Sequence, residues 1–183
     1  MKLWLVRHAR TEAAPGLCYG ATDVGVPAEA THAVALRVAP GIPMDAVLRT
    51  SPLRRCAELA RAIAARRTDL HAEVDARIAE MDFGAWEGRP WSSIPRAEFD
   101  AWTAGFADLR PGGDGESTRQ FMLRVGMAYD DWRASGRNAV WVTHAGVMRA
   151  VQLLQRGVRH VALASEWPAE AIGYGECLRI EAP

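Results

Sequence analysis

Five residues scattered along the chain carry side chains that fit one reaction: Arg7, His8, Arg55, Glu80 and His144. A neutral imidazole is a competent nucleophile near neutral pH, with an unperturbed pKa of about 6.5. A guanidinium group presents a planar fork of donors that matches phosphate oxygens two at a time. Two such forks, at Arg7 and Arg55, would hold a phosphoryl group and offset charge as it transfers. With His8 as the nucleophile, a protonated His144 would donate to the equatorial oxygens. Glu80 would protonate the departing oxygen and then deprotonate the water that cleaves the phosphoenzyme. This set needs neither a cofactor nor a metal. There is no His-x-x-x-His or Cys-x-x-Cys spacing, and His32, His71 and His160 have no partner at ligand spacing.

Taken singly, each residue has a plainer reading. A histidine at a strand end is usually a hydrogen-bonded structural group, and a lone glutamate is usually solvated. Arg55 has Arg54 beside it, and either could be a surface charge. Their joint placement favours catalysis. His8 follows the first apolar run, Leu3 to Val6. Arg55 lies one turn beyond the second run, Ala46 to Leu48. His144 follows the third, Ala139 to Val142, and Glu80 follows a short extended segment marked by Val74 and Ile78. In open parallel sheets ligands bind beyond the carboxyl ends of the strands, so these segments should meet in one crevice.

Apolar runs without alternation suit strands buried on both faces. Leu178 to Ile180 reads as a final edge strand. Pro27 to Val38 reads as a helix, and Ser51-Pro52 as the cap-and-proline start of a second. In that helix Leu53, Cys56, Ala57, Ala60, Ile63 and Ala64 form one apolar stripe. Ser117 should cap a third helix, and Gly146 to Gln155 forms a fourth. Strand–helix alternation of this kind predicts an α/β protein, a three-layer α/β/α sandwich with a mostly parallel central sheet. The pattern fails between about residues 83 and 115. That stretch reads as a cap-like excursion, partly helical around Glu98 to Trp102, within a single domain spanning 1–183.

Acidic and basic residues balance at 22 each. That argues against a nucleic-acid partner, which would select a basic face. No apolar run approaches the roughly 20 residues of a membrane span, and no secretory signal is legible. The three cysteines, Cys18, Cys56 and Cys177, suit neither a disulfide framework nor a zinc site. A cytoplasmic protein acting on a small phosphorylated metabolite is expected. The oligomeric state is not legible.

At these residues the chain resembles the histidine phosphatase superfamily, the phosphoglycerate-mutase-like group. Leu5-Val6-Arg7-His8 is similar to its Arg-His-Gly signature. Ser51-Pro52-Leu53-Arg54-Arg55-Cys56 is similar to its Ser-Pro-Leu-x-Arg-Ala segment, which singles out Arg55 rather than Arg54. Glu80 to Gly88 resembles its Glu-x-x-(Phe/Tyr)-Gly-x-Trp-Glu-Gly block, which implies Glu80 and not Glu87 as the proton donor. Gly115-Glu116-Ser117 and Val142 to Arg149 resemble two further blocks, the second carrying His144. The resemblance implies a phosphoglycerate-mutase-like fold and phosphomonoester hydrolysis. Ala9 and Ala145 stand where glycine is usual, and Ala14 where many members carry a phosphate-contacting Asn. The two added methyl groups should be tolerated if the backbone torsions there are negative.

Gly16 to Val24 resembles a stretch of the α-ribazole phosphatases, which release phosphate from α-ribazole 5′-phosphate or its cobamide form in cobalamin biosynthesis. Beside the catalytic set, Tyr19, Gly20 and Ala145 are then expected at the substrate, with Trp86 or Trp91 as a wall for a planar base. Core packing is the favoured reading of both tryptophans. The alternatives are a broad sugar-phosphate phosphatase, a protein phosphohistidine phosphatase, or a phosphate-binding module without catalysis.

Overall fold

The computed structural model describes residues 1–182. Five strands form one sheet: β1 (Lys2–Arg7), β2 (Val47–Thr50), β3 (Ala72–Val74), β4 (Ala139–Thr143) and β5 (Cys177–Glu181). Their order is β3-β2-β4-β1-β5. All neighbours are parallel except β5, which runs antiparallel along β1. Five helices among the described residues flank it: α1 (Ala28–Val38), α2 (Arg54–Ala64), α3 (Arg96–Ala104), α4 (Thr118–Ser135) and α5 (Ala145–Gln155).

Alternation of side chains along each strand makes two cores. Leu3, Leu5, Ala139 and Trp141 pack with α4 and α5 on one face. Val6, Leu48, Val140 and Val142 pack with α1 and α2 on the other. Both faces of the central strands are therefore dry, which is why their sequences read as unbroken apolar runs. Burying a side chain of this size contributes about 1.5–3 kcal/mol. The three-layer α/β/α arrangement is the one expected, and residues 83 to 115 leave it. They hold two short 3-10 turns and α3, and Trp86 and Ile94 join Cys18 in a small cluster of their own.

Local details differ from expectation in two places. Val74 and Ile78 do not share an extended segment: β3 ends at Val74, and Ile78 closes a 3-10 turn over Ala76–Ile78 capped by Asp75. Ser51 does not cap the second helix, which starts at Arg54 with Leu53 at its N-cap. The Ser51 hydroxyl is held elsewhere, as described below. Ser117 does cap α4, through a reciprocal box with Gln120. No helix among the described residues is long and apolar enough to cross a membrane.

Candidate active site

The carboxyl ends of β1, β2 and β4 are laced together by backbone hydrogen bonds. His8 N donates to Thr143 O (3.0 Å) and Ser51 N to Val142 O (3.0 Å). This lacing draws His8, Arg55 and His144 to one place. The His8 and His144 rings lie 5.2 Å apart, and Arg55 Nε donates to His144 Nδ1 at 3.3 Å. A cavity of about 430 Å³ opens over Arg7, His8, Arg55, Glu80, Tyr19 and Tyr174. Arg10 also lines it, and Glu80 is its one acidic residue among the described residues, so the cavity suits an anion.

His8 is almost fully buried, and its Nδ1 lies 2.8 Å from Ala9 O. A carbonyl can only accept, so Nδ1 carries the proton and Nε2 keeps its lone pair. Burial, then the nearby Arg55 guanidinium, pushes the pKa of His8 down to about 3. The imidazole is thus held neutral near pH 7, the state that a nucleophilic role requires.

His144 is wholly buried. Its Nδ1 accepts from Arg55, so Nε2 holds the proton and donates to Ser51 Oγ at 2.8 Å. Burial and the Arg55 charge keep its pKa well below the usual value. In this arrangement Nδ1 accepts from Arg55 and Nε2 faces Ser51, so neither ring nitrogen is turned to the cavity, which His144 does not line. This ring orders Arg55 from behind.

Arg55, from the buried stripe of α2, is fully buried. It donates through Nη1 to Thr22 O (2.7 Å) and through Nη2 to Gly20 O (2.5 Å). Arg54, by contrast, is exposed and paired with Glu58. Arg7 donates to Ile172 O and lies 4.0 Å over the Tyr174 ring. Glu80 sits at the N-terminus of α5, where Gly146 N donates to its Oε2 at 3.1 Å. A Cβ on Gly146 would lie 2.2 Å from Glu80 Oε1, so the carboxylate keeps this position only beside glycine and would have to shift for any larger residue.

Tyr19 lines the cavity, its hydroxyl accepting from Thr11 Oγ1 (3.1 Å) and lying 2.8 Å from that of Tyr174. Gly20 and Ala145 do not line it. Gly20 is required by packing: a Cβ would lie 1.7 Å from Met81 O. Ala145 opens α5 and faces the core. No described residue other than glycine has a positive φ, so Ala9 and Ala145 carry their extra methyl groups without backbone strain. Trp86 is buried in the excursion with its Nε1 on Glu98 (3.0 Å), whereas Trp91 lines the cavity. Burial and the charge of Glu87 push the Cys18 thiol up to about 12, which leaves it inert.

Four contributors are not marked in the sequence by their true roles. Tyr174 and Ile172 come from the coil before β5, which has no periodicity or motif to single it out. Ser51 looks like a helix cap. Glu87, set aside as a proton donor, has a different task. Its carboxylate accepts from the N–H groups of Gly20, Ala21, Thr22 and Phe83 and from Thr22 Oγ1. Burial opposes its ionisation, but these bonds outweigh it and hold the pKa below the ordinary carboxylate value.

Comparisons with known proteins show the family and the fold. Residues 3–164 match the model of the histidine phosphatase superfamily (branch 1). An adenosylcobalamin/alpha-ribazole phosphatase of Salmonella typhimurium (strain LT2) is 32% identical over 159 residues, covering 81% of this chain and 76% of the relative. The structure of TTHB049 from Thermus thermophilus superposes with a TM-score of 0.72 at 29% identity, covering 100% of this chain and 95% of that one. A mycobacterial glucosyl-3-phosphoglycerate phosphatase complexed with VO3 shares the fold, with a TM-score of 0.80 at 24% identity over 98% of this chain and 92% of that one. The chain belongs to the histidine phosphatase superfamily and is a phosphoric monoester hydrolase.

Proposed function

We propose that the protein hydrolyses α-ribazole 5′-phosphate, free or in its cobamide form, through a phosphohistidine at His8. The observation that carries the mechanism is the state of His8: neutral, with Nε2 unprotonated, in a cavity lined by arginines. The substrate rests on the Salmonella relative and on the Gly16–Val24 stretch.

In the first step His8 Nε2 attacks phosphorus, the bond to the leaving oxygen breaks, and Glu80 gives that oxygen its proton. In the second step water attacks the phosphohistidine, Glu80 takes the proton of the water, and the N–P bond breaks to release inorganic phosphate. Arg7 and Arg55 offset the charge on the transferring group. Each has N–H groups beyond those already given to backbone carbonyls. Tyr19 supports this site directly. Gly20 and Ala145 act through packing. The free thiols of Cys18, Cys56 and Cys177 suit a reducing cytoplasm.

The test is a side-by-side measurement of kcat/KM on α-ribazole 5′-phosphate, ribose 5-phosphate and a phosphohistidine peptide. Preference for the first supports this reading. Equal turnover of the two small phosphates would replace it with a broad phosphatase, and preference for the peptide with a protein phosphatase.

A further inference from the structure

A second cavity, of about 330 Å³, shares no lining residue with the first, and Met81 and Gly146 in its lining both donate to Glu80. Its walls are the side chains of Met81, Phe99, Trp102, Phe106, Phe121 and Trp167. The rings form a continuous run: Phe99 to Trp102 at 5.7 Å, Trp102 to Phe106 at 5.3 Å, Phe106 to Trp167 at 6.1 Å and Phe121 to Trp167 at 6.2 Å between centroids. Among the described residues no charged side chain lines it. Its one hydroxyl among them, on Thr103, already donates back to α3. Such a cavity offers no counter-ion, and its unpartnered donors include the buried indole N–H of Trp102, so it suits an uncharged ring system flat enough to lie against aromatic faces. Its volume falls at the small end of ligand sites, which suits one bicyclic ring system rather than a whole nucleotide.

Its position gives it a role. Two of its lining residues touch the carboxylate that faces the first cavity. Met81 follows Glu80 directly and donates its N–H to Oε1 (3.2 Å), and Gly146 donates to Oε2 (3.1 Å). The apolar cavity therefore backs onto the group assigned to protonate the leaving oxygen. Neither tryptophan first considered as a base wall competes well for that place. Trp86 is buried and tied to Glu98, and Trp91 stands among the cationic groups of the first cavity.

We propose that this aromatic cavity is the leaving-group subsite and receives the uncharged, flat ring system of the substrate, a benzimidazole-type bicycle. The inference rests on the phosphomonoesterase reading above and adds the place where the alcohol half of the substrate is recognised. Phosphate is held by the arginines of the first cavity, and the ring by Phe106, Trp102 and Trp167 of the second.

The test fills the cavity. Ala164 lines it, and Ala164→Trp would occupy it from the outer wall; Thr103→Phe fills it from α3 and serves if the first variant fails to fold. Two readouts are taken on wild type and variant: kcat/KM on α-ribazole 5′-phosphate against ribose 5-phosphate, and quenching of tryptophan fluorescence by 5,6-dimethylbenzimidazole alone. The filled variant should lose about tenfold or more on the ribazole substrate, with ribose 5-phosphate changed less than about twofold. It should also lose the quenching. Equal losses on both substrates with quenching retained would overturn the proposal, as would a wild type that dimethylbenzimidazole does not quench. If the wild type shows no preference for the ribazole substrate but the filled variant abolishes quenching, the cavity assignment stands and the substrate reading falls.

Discussion

Glu87 and Arg55 hold the same three-residue loop by its two kinds of backbone group. Glu87 takes the N–H groups of Gly20, Ala21 and Thr22, while Arg55 donates to the carbonyls of Gly20 and Thr22. Arg55 in turn fixes the tautomer of His144. A carboxylate that does not line the first cavity thus sets where the Arg55 guanidinium sits.

Replacing Glu87 with Gln puts an amide N–H₂ against a ring of donors. Losing charged hydrogen bonds of this kind costs about 1.5–3 kcal/mol, so kcat/KM should fall between about tenfold and a hundredfold. Inhibition by orthovanadate should weaken in parallel. The depressed pKa of Glu87 adds a stability signature. Its contribution is complete above the unfolded pKa of about 4.3 and is lost as pH falls through the lower folded value. Thermal melts between pH 7 and pH 3 should therefore drop less steeply for Glu87→Gln than for wild type.

His8→Ala should reduce turnover by about 10⁴-fold or more and abolish trapping of labelled phosphate on the protein. Appreciable residual activity would refute the nucleophile assignment. The pKa of about 3 also fixes a sign: folding favours the neutral ring, so its stabilisation is complete above about pH 6.5 and declines as pH falls toward 3. Titration of His8 by NMR in the folded protein should show no protonation at pH 6.

Glu80→Gln should slow hydrolysis of alkyl phosphates by about 10²–10⁴-fold and of nitrophenyl phosphate far less, since only poor leaving groups need the proton. A uniform loss across leaving groups would count against the acid role.

Gly146→Ala drives a methyl group into the Glu80 carboxylate, at 2.2 Å from Oε1. The helix itself should gain up to about 1 kcal/mol from alanine. The expected result is a folded protein whose leaving-group dependence copies that of Glu80→Gln. Adding Gly146→Ala to Glu80→Gln should cost little further activity. Additive losses would show that Gly146 serves something other than the carboxylate.

The sheet was legible because its central strands are apolar on both faces, and the meeting of His8, Arg55 and His144 was legible because their segments follow those strands. What sequence could not give was direction. His144 sits where expected, yet its ring nitrogens are claimed by Arg55 and Ser51, a consequence of packing from α2 that no local pattern encodes. Ile172 and Tyr174 reach Arg7 from a coil without periodicity, so only the three-dimensional return of the chain reveals them. Gly20 differs from expectation because its need is for space beside Met81, not for contact with a ligand.

Strand β1, which leads into His8, is made before its two neighbours, β4 and β5. On a ribosome adding about 5–20 residues each second, β1 waits roughly ten seconds for the edges it must pair with. Until then His8 lacks the Thr143 carbonyl that anchors its backbone, and Arg7 lacks Ile172 and Tyr174. Nascent chains should therefore be unable to hydrolyse anything. Maturation of the enzyme becomes a single late event, paced by closure of long-range pairings rather than by growth of local structure.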